Sequence, residues 1–177
     1  MTLFPFFEEI ENKTFLVVGG GNVAKGKIER LKQFTDKIIV IAEETDIDGA
    51  VIKAFDESDL NGADYVIGAS DNHALNRRIS ELCKARNIPV NIVDNPELCS
   101  FIFPSLIKKG DLVIGISSTG KSPAFSQHIR KEIEGILPDN TEEIIEELYR
   151  LRNELKKTVS DQKARAEILK EKLNELL

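Results

Sequence analysis

A chain of 177 residues can build one substantial core plus an appendage, and its hydrophobic and charged fractions, 41% and 31%, are those of an ordinary soluble protein. A net charge of -6 argues against general binding to nucleic acid or anionic membranes, yet leaves room for a small anionic ligand held by local bases. The N-terminal MTLFPFFEEIENK lacks the basic start and unbroken apolar stretch of a secretory signal, and no apolar run approaches membrane-spanning length, so a cytoplasmic protein is expected.

Thr14–Val18 predicts a first strand, which the glycines Gly19, Gly20 and Gly21 turn directly into a helix over Val23–Phe34. Lys37–Ala42 predicts a second strand and Ala50–Phe55 a third, followed by a short helical turn at Glu57–Leu60. The apolar run Asp64–Ala69 reads as a buried strand. Asn72–Arg86 follows as an amphipathic helix with Ala74, Ile79, Leu82 and Cys83 mostly on one side, then Pro89–Val93 as a fifth strand. Strands recurring with helical crossovers predict a parallel, doubly wound sheet. The pattern then changes to a hairpin, Phe101–Ile107 and Leu112–Ser117 about Lys109-Gly110-Asp111. A helix over Pro123–Leu137 starts with Ser122 as N-cap and stops at Pro138. Asn140 and Glu143 predict the cap and N3 residue of a further helix, striped by Ile144, Leu148, Leu151 and Leu155. A last helix over Asp161–Leu177 carries Ile168, Leu169, Leu173 and Leu176. Neither stripe is broad enough to stand alone, so each must pack on a neighbour within or beyond the chain.

The turn is G-x-G-x-x-A, with Gly19 for the tight bend, Gly21 for close approach of backbone to phosphate oxygens, and Ala24 for close helix–strand packing. Phosphates would meet the helix N-terminus, where unpaired N–H groups favour negative charge. Glu43 and Glu44 follow the second strand, with Glu43 about twenty residues past the turn, where a ribose-binding acid belongs. A carboxylate there favours NAD over NADP; the alternative is a pair of solvated loop acids. Ala69, Ser70 and Asp71 end the fourth strand, where ligands of such sheets collect, and Ser70 or Asp71 can equally cap the next helix. Asp94 follows Val90-Asn91-Ile92-Val93 at the carboxyl end of the fifth strand. Partly desolvated, it would have a raised pKa and act as a general base, unless Asp94-Asn95-Pro96 is only an Asx turn. Ser117, Ser118, Lys121 and Ser122 offer hydroxyls, a cation and a helix start suited to carboxylates or phosphates, or else an ordinary capped turn. Cys83 and Cys99 read as structural thiols, and His73 and His128 as surface or satisfied helix histidines, so no metal site is expected.

Together, VVGGGNVAKGK at 17–27, IGASDNHALN at 67–76, NIVDNPELCSFIFPSLIKKGDL at 91–112 and ISSTGKSPAFSQHIRKEIEGILP at 116–138 resemble the precorrin-2 dehydrogenase family, the dehydrogenase module of siroheme synthase. The glycine turn is generic; the two later stretches are distinctive as a pair. The resemblance implies an NAD-binding Rossmann domain (1–104), a dimerisation region built from the hairpin and next helix (105–138), and a C-terminal helical domain (139–177). It implies a homodimer that oxidises precorrin-2 to sirohydrochlorin, with Asp94 as the matching essential aspartate and general base. Asn22, Val23, Glu43 and Glu44 match its cofactor contacts, and Ser118 lies in the segment associated with the tetrapyrrole. Lys121 and Arg130 would answer the substrate's carboxylates. Thr119-Gly120 stands where the motif often has Gly-Gly, and Gln127 where a basic residue is usual. These departures bear on the carboxylate contacts and not on the redox chemistry. The methyltransferase module fused in some members has no counterpart here, so methylation is expected elsewhere. The rival readings are an enzyme that also inserts ferrous iron, and a non-catalytic NAD-sensing module.

Overall fold

Every residue of β1 (Phe15–Val18) is buried, and its side chains go alternately to two different cores. Leu16 and Val18 join Ile41, Leu60, Val66, Ile79, Cys83, Val90 and Ile92, while Phe15 and Val17 join Ala24, Ile28, Leu31, Val40 and Ile67. A strand apolar on both faces belongs at the centre of a sheet covered on both sides. β2 (Ile38–Ala42) and β4 (Tyr65–Gly68) flank it, with β3 (Val51–Ile52) and β5 (Val90–Ile92) outside them, giving the order β3-β2-β1-β4-β5 with every pair parallel. Parallel neighbours need crossovers. α1 (Asn22–Leu31) supplies Ala24, Ile28 and Leu31 to one core, and α2 (His73–Ala85) supplies Ile79 and Cys83 to the other. This is the Rossmann-like sheet that the alternation of elements predicts.

The computed structural model describes residues 3–177 and divides into two units, one of residues 4–103 and one holding 104–177. In the first, the third strand is shorter than expected. Only Val51 and Ile52 pair with β2, both exposed on an edge with no outer neighbour. Asp56 then diverts the chain into a 3₁₀ turn over Glu57–Leu60 through a reciprocal cap with Asp59. Ala74, expected on the buried side of α2, is exposed. The strand expected over Phe101–Ile107 begins only at Ser105, because the aromatic residues before it pack instead of pairing. Phe15 stacks on Tyr65, Tyr65 meets Phe101 edge-on, and Phe101 lies against Phe103, at centroid distances of 4.8, 5.5 and 5.6 Å.

In the second unit, β6 (Ser105–Lys109) and β7 (Leu112–Ile116) form the antiparallel hairpin, closed tightly at Gly110 in left-handed conformation. α3 (Pro123–Ile136) begins with Pro123, and Ser122 Oγ accepts the Phe125 N–H. α4 (Thr141–Thr158) and α5 (Gln162–Leu176) pack together, with Lys172 bridging to Glu147 at 2.9 Å. Asn140 occupies the cap position of α4 but its side chain makes no cap bond; Thr141 Oγ1 donates to the Pro138 carbonyl instead. Asp161 caps α5 through the Lys163 and Ala164 N–H groups. Among the described residues no helix is long and apolar enough to cross a membrane.

Ile79, wholly buried between α2 and the sheet, sets the scale of core stability. Ile79→Ala is expected to cost about 2–5 kcal/mol in urea unfolding, against a change within about 0.5 kcal/mol for Ala at exposed Leu177.

Candidate functional site

β1 ends in Gly19, whose φ of 121° is open only to glycine and whose imagined Cβ would collide with the Ala69 carbonyl at the end of β4. A Cβ on Gly20 would strike Thr45 beyond β2, whereas one on Gly21 would meet nothing within 4 Å. Gly21 is the N-cap residue of α1. No side chain caps that helix and its first turn carries no acid, so the leading N–H groups of Asn22 and Val23 lie beside open space. Ala24 is 0% exposed, the close helix–sheet contact its size permits. The arrangement fits the pyrophosphate of a dinucleotide, since backbone donors and a helix N-terminus converge where no side chain intervenes.

Glu43 and Glu44 leave β2 fully exposed. The loop they begin is pinned by Thr45, whose hydroxyl donates to the Gly20 carbonyl at 2.9 Å and accepts the Ile47 N–H at 3.2 Å. Lys25 is engaged by Asp46 at 2.5 Å. At the end of β4, Ala69 is buried, Ser70 half-buried and Asp71 exposed without a hydrogen bond of its own. Neither Ser70 nor Asp71 is the cap of α2. Asn72 takes that place, accepting from Leu75 N–H, while Ser70 Oγ accepts the Asn72 N–H at 3.1 Å. Asn76, 4% exposed, donates to the Ser70 carbonyl at 2.7 Å and leaves its Oδ1 without a partner.

Asp94 stands beyond the end of β5 in left-handed conformation, φ 57°. Its side chain is exposed, which corrects the partial desolvation expected from a buried strand: the strand is buried, but the chain emerges into water two residues past it. The turn is clasped from below by Cys99. Its sulfur accepts the Ile92 N–H at 3.1 Å, and its thiol proton faces the Ile92 and Asn95 carbonyls at 3.2 and 3.3 Å. Burial raises the Cys99 thiol above its usual range and pushes Cys83 up to about 11, so both are protonated at neutral pH. Asn91, 5% exposed, donates to the Phe101 carbonyl at 3.0 Å, and its Oδ1 too is unpartnered.

Lys27 is the residue that sequence reasoning passed over. It sits on α1 between Ala24 and Ile28, half-buried, with its ammonium 4.2 Å from the centre of the Phe103 ring. Burial, then the like charge of Arg30, brings its pKa from 10.5 down to about 8, while Cys99 and Asp94 pull the other way. A lysine on the buried stripe of a helix was the available signal. Thr45 had a fainter one, as a hydroxyl just past a strand end.

In the second unit, Thr119 and Gly120 are both left-handed, and the Lys121 N–H closes the turn onto the Ser118 carbonyl at 3.0 Å. Ser117 Oγ accepts the Thr119 N–H and Ser118 Oγ the Ser122 N–H, each at 3.0 Å, so these hydroxyls hold the loop together. Lys121 is exposed, whereas Arg130 is already bound to Glu134 at 2.6 Å. Among the described residues, no three His, Cys, Asp or Glu side chains gather as a metal site.

The model of a family described as putative NAD(P)-binding matches residues 6–105, and that of the sirohaem biosynthesis protein central region matches 109–136. A siroheme synthase of Vesicomyosocius okutanii subsp. Calyptogena okutanii is 38% identical over 148 residues, covering 78% of this chain and 32% of the relative. Siroheme synthase 1 of Klebsiella pneumoniae is 35% identical over 175 residues, covering 93% of this chain and 37% of the relative. The chain thus spans about a third of the length of the curated relatives it matches. Among solved structures, one described as SirC, precorrin-2 dehydrogenase, shares the fold, with a TM-score of 0.76 and 20% identity over 96% of this chain and 88% of that one.

Gly19→Ala, strained and colliding, is expected to cost about 1–3 kcal/mol, against less than about 1 kcal/mol for Gly21→Ala, with thermal melts separating the two. Lys27→Met is expected to stabilise the fold at pH 7. Because the folded-state pKa is depressed, the wild type bears the full disadvantage of a charged, half-buried amine below about 8. It sheds that disadvantage as pH rises toward 10.5, so the variant's lead in urea midpoint should fade across that window.

Proposed function

The chain belongs to the siroheme synthase/precorrin-2 dehydrogenase–ferrochelatase family, and on that premise we propose that it oxidises precorrin-2 to sirohydrochlorin, with NAD taking the hydride and Asp94 taking the proton. The observation that carries this reading is the shared edge of the sheet: an open, uncapped helix start after β1 and an exposed, sterically constrained carboxylate after β5, in one unit. Backbone N–H groups from Gly21 to Ala24 would hold the pyrophosphate, and Glu43 and Glu44 would accept from ribose hydroxyls and repel a 2′-phosphate. Ala69, Ser70 and Asp71 would border the nicotinamide end. Bound there, the dinucleotide supplies the hydride acceptor, and the protein's own chemistry reduces to orientation and one proton transfer.

Asp94 suits that transfer because its side chain is exposed and makes no hydrogen bond among the described residues that a substrate must displace. Its left-handed backbone aims the side chain independently of the strand's pleat. Ser117, Ser118, Lys121 and Ser122 are assigned to the carboxylates of the tetrapyrrole. Arg130 would contribute only by giving up Glu134. We assign the chain to a homodimer, supported by the narrow two-stranded sheet of its second unit and by exposed Phe125 and Ile136 on α3.

The decisive experiment follows NAD reduction at 340 nm, anaerobically, with enzymatically made precorrin-2. Wild type should reduce NAD only when the tetrapyrrole is present. Asp94→Ala should bind NAD as wild type does and lose about 10²–10⁴-fold in kcat, the usual contribution of a general base. Near-normal turnover by that variant would remove Asp94 from the mechanism. NAD binding without tetrapyrrole-dependent reduction would leave a sensing module.

A further inference from the structure

A dinucleotide is its own ruler. The adenosine phosphate and the 2′-hydroxyl belong to one ribose, so the turn that holds the first and the acid that holds the second must stand a fixed distance apart. Here the two come from different strands, the glycine turn from the end of β1, and Glu43 and Glu44 from the end of β2. A free loop would not keep that separation. We propose that Thr45 is the positioning residue that does: by fastening the loop after β2 to the glycine turn, it sets the reach of Glu43 and Glu44 to the ribose 2′-hydroxyl. The inference rests on the cofactor reading above.

Thr45 is half-buried and belongs to no strand or helix, so regular structure has no need of its hydroxyl. That hydroxyl works in two directions. It donates to the Gly20 carbonyl at 2.9 Å, inside the turn itself, and accepts the Ile47 N–H at 3.2 Å, which folds its own loop back. The two segments touch as well as bond. A Cβ on Gly20 would come within 2.6 Å of Thr45 Oγ1 and 2.9 Å of the Glu44 carbonyl oxygen, so the acid-bearing loop lies directly on the turn. A second fastening is next in sequence, where Asp46 meets Lys25 of α1 at 2.5 Å. It is the weaker of the two, because Asp46 is largely exposed and water competes for the pair. Above these anchors the Glu43 and Glu44 side chains are exposed and make no hydrogen bond or ion pair among the described residues. The loop is held while its carboxylates stay free for a ligand.

The test removes the two hydroxyls, one from the ligand and one from the protein, singly and together. Isothermal titration calorimetry measures the affinity of the full chain for ADP and for 2′-deoxy-ADP, in wild type, Thr45→Ala, Thr45→Val and Thr45→Ser. Two variants lose the hydroxyl, so that one remains if the other fails to fold. Wild type should prefer ADP by about tenfold, the worth of a hydrogen bond to a carboxylate. In Thr45→Ala and Thr45→Val that preference should shrink to about threefold or less, while Thr45→Ser, which keeps the hydroxyl, keeps the wild-type preference. A loop that was merely loosened would bind both nucleotides more weakly by one factor and leave their ratio unmoved. A ratio unchanged by loss of the Thr45 hydroxyl therefore defeats the role of Thr45 alone. Wild type that binds neither nucleotide, or binds the two alike, defeats the cofactor reading and the inference with it.

Discussion

No methyl group fits between the end of β1 and the end of β4. A side chain on Gly19 would enter the Ala69 carbonyl, one on Gly20 would enter Thr45 beyond β2, and one on Gly68 would meet Ile92 Cδ1 of β5 at 2.5 Å. Three glycines thus allow four parallel strands to finish crowded against one another, and the rest of the site follows from that crowding. The strands must be parallel because both faces are buried, and parallel strands share a carboxyl edge. Backbone emerging at that edge has no further strand to pair with, so its donors and side chains are left for something else.

Charge at this edge is sorted even though the whole chain is acidic. Glu43 and Glu44 lie exposed past β2, Asp71 past β4 and Asp94 past β5, while the start of α1 supplies partial positive charge with no side chain to quench it. Of the two lysines on α1, Lys25 is paired with Asp46, and Lys27 is half-buried over the Phe103 ring. A net charge describes solubility and steering, not a site.

Periodicity in the sequence is sufficient for the elements whose partners are water or one core. The strand expected at Thr14–Val18 and the capped start at Ser122-Pro123 are local facts, and they read correctly. Where the competing partner is remote, local pattern misleads. Val51–Ile52 stops short because nothing lies outside it, and Phe101 is drawn away from strand pairing by Tyr65, 36 positions earlier. Thr45 reaches Gly20 across 25 positions, and Lys27 lies over Phe103, 76 positions away. The exposure of Asp94 was misjudged for a related reason: a strand's burial says nothing about how far the following turn stands clear of it.

The departures from ordinary folding rules are not scattered. Of the non-glycine residues in left-handed conformation, Asn87 follows the C-cap of α2, where such a residue is expected, and Thr119 shares a tight turn with Gly120. Asp94 sits in a turn that the Asn95 N–H closes onto the Ile92 carbonyl at 3.4 Å. Three residues before it is a buried amide oxygen on Asn91 without a partner, with a second orphan on Asn76 past β4. Each weakens the fold, and each has an obvious apolar or relaxed replacement that would be more stable. Local rules broken together at one edge, in a unit whose cores otherwise obey them, are what the proposed site would require.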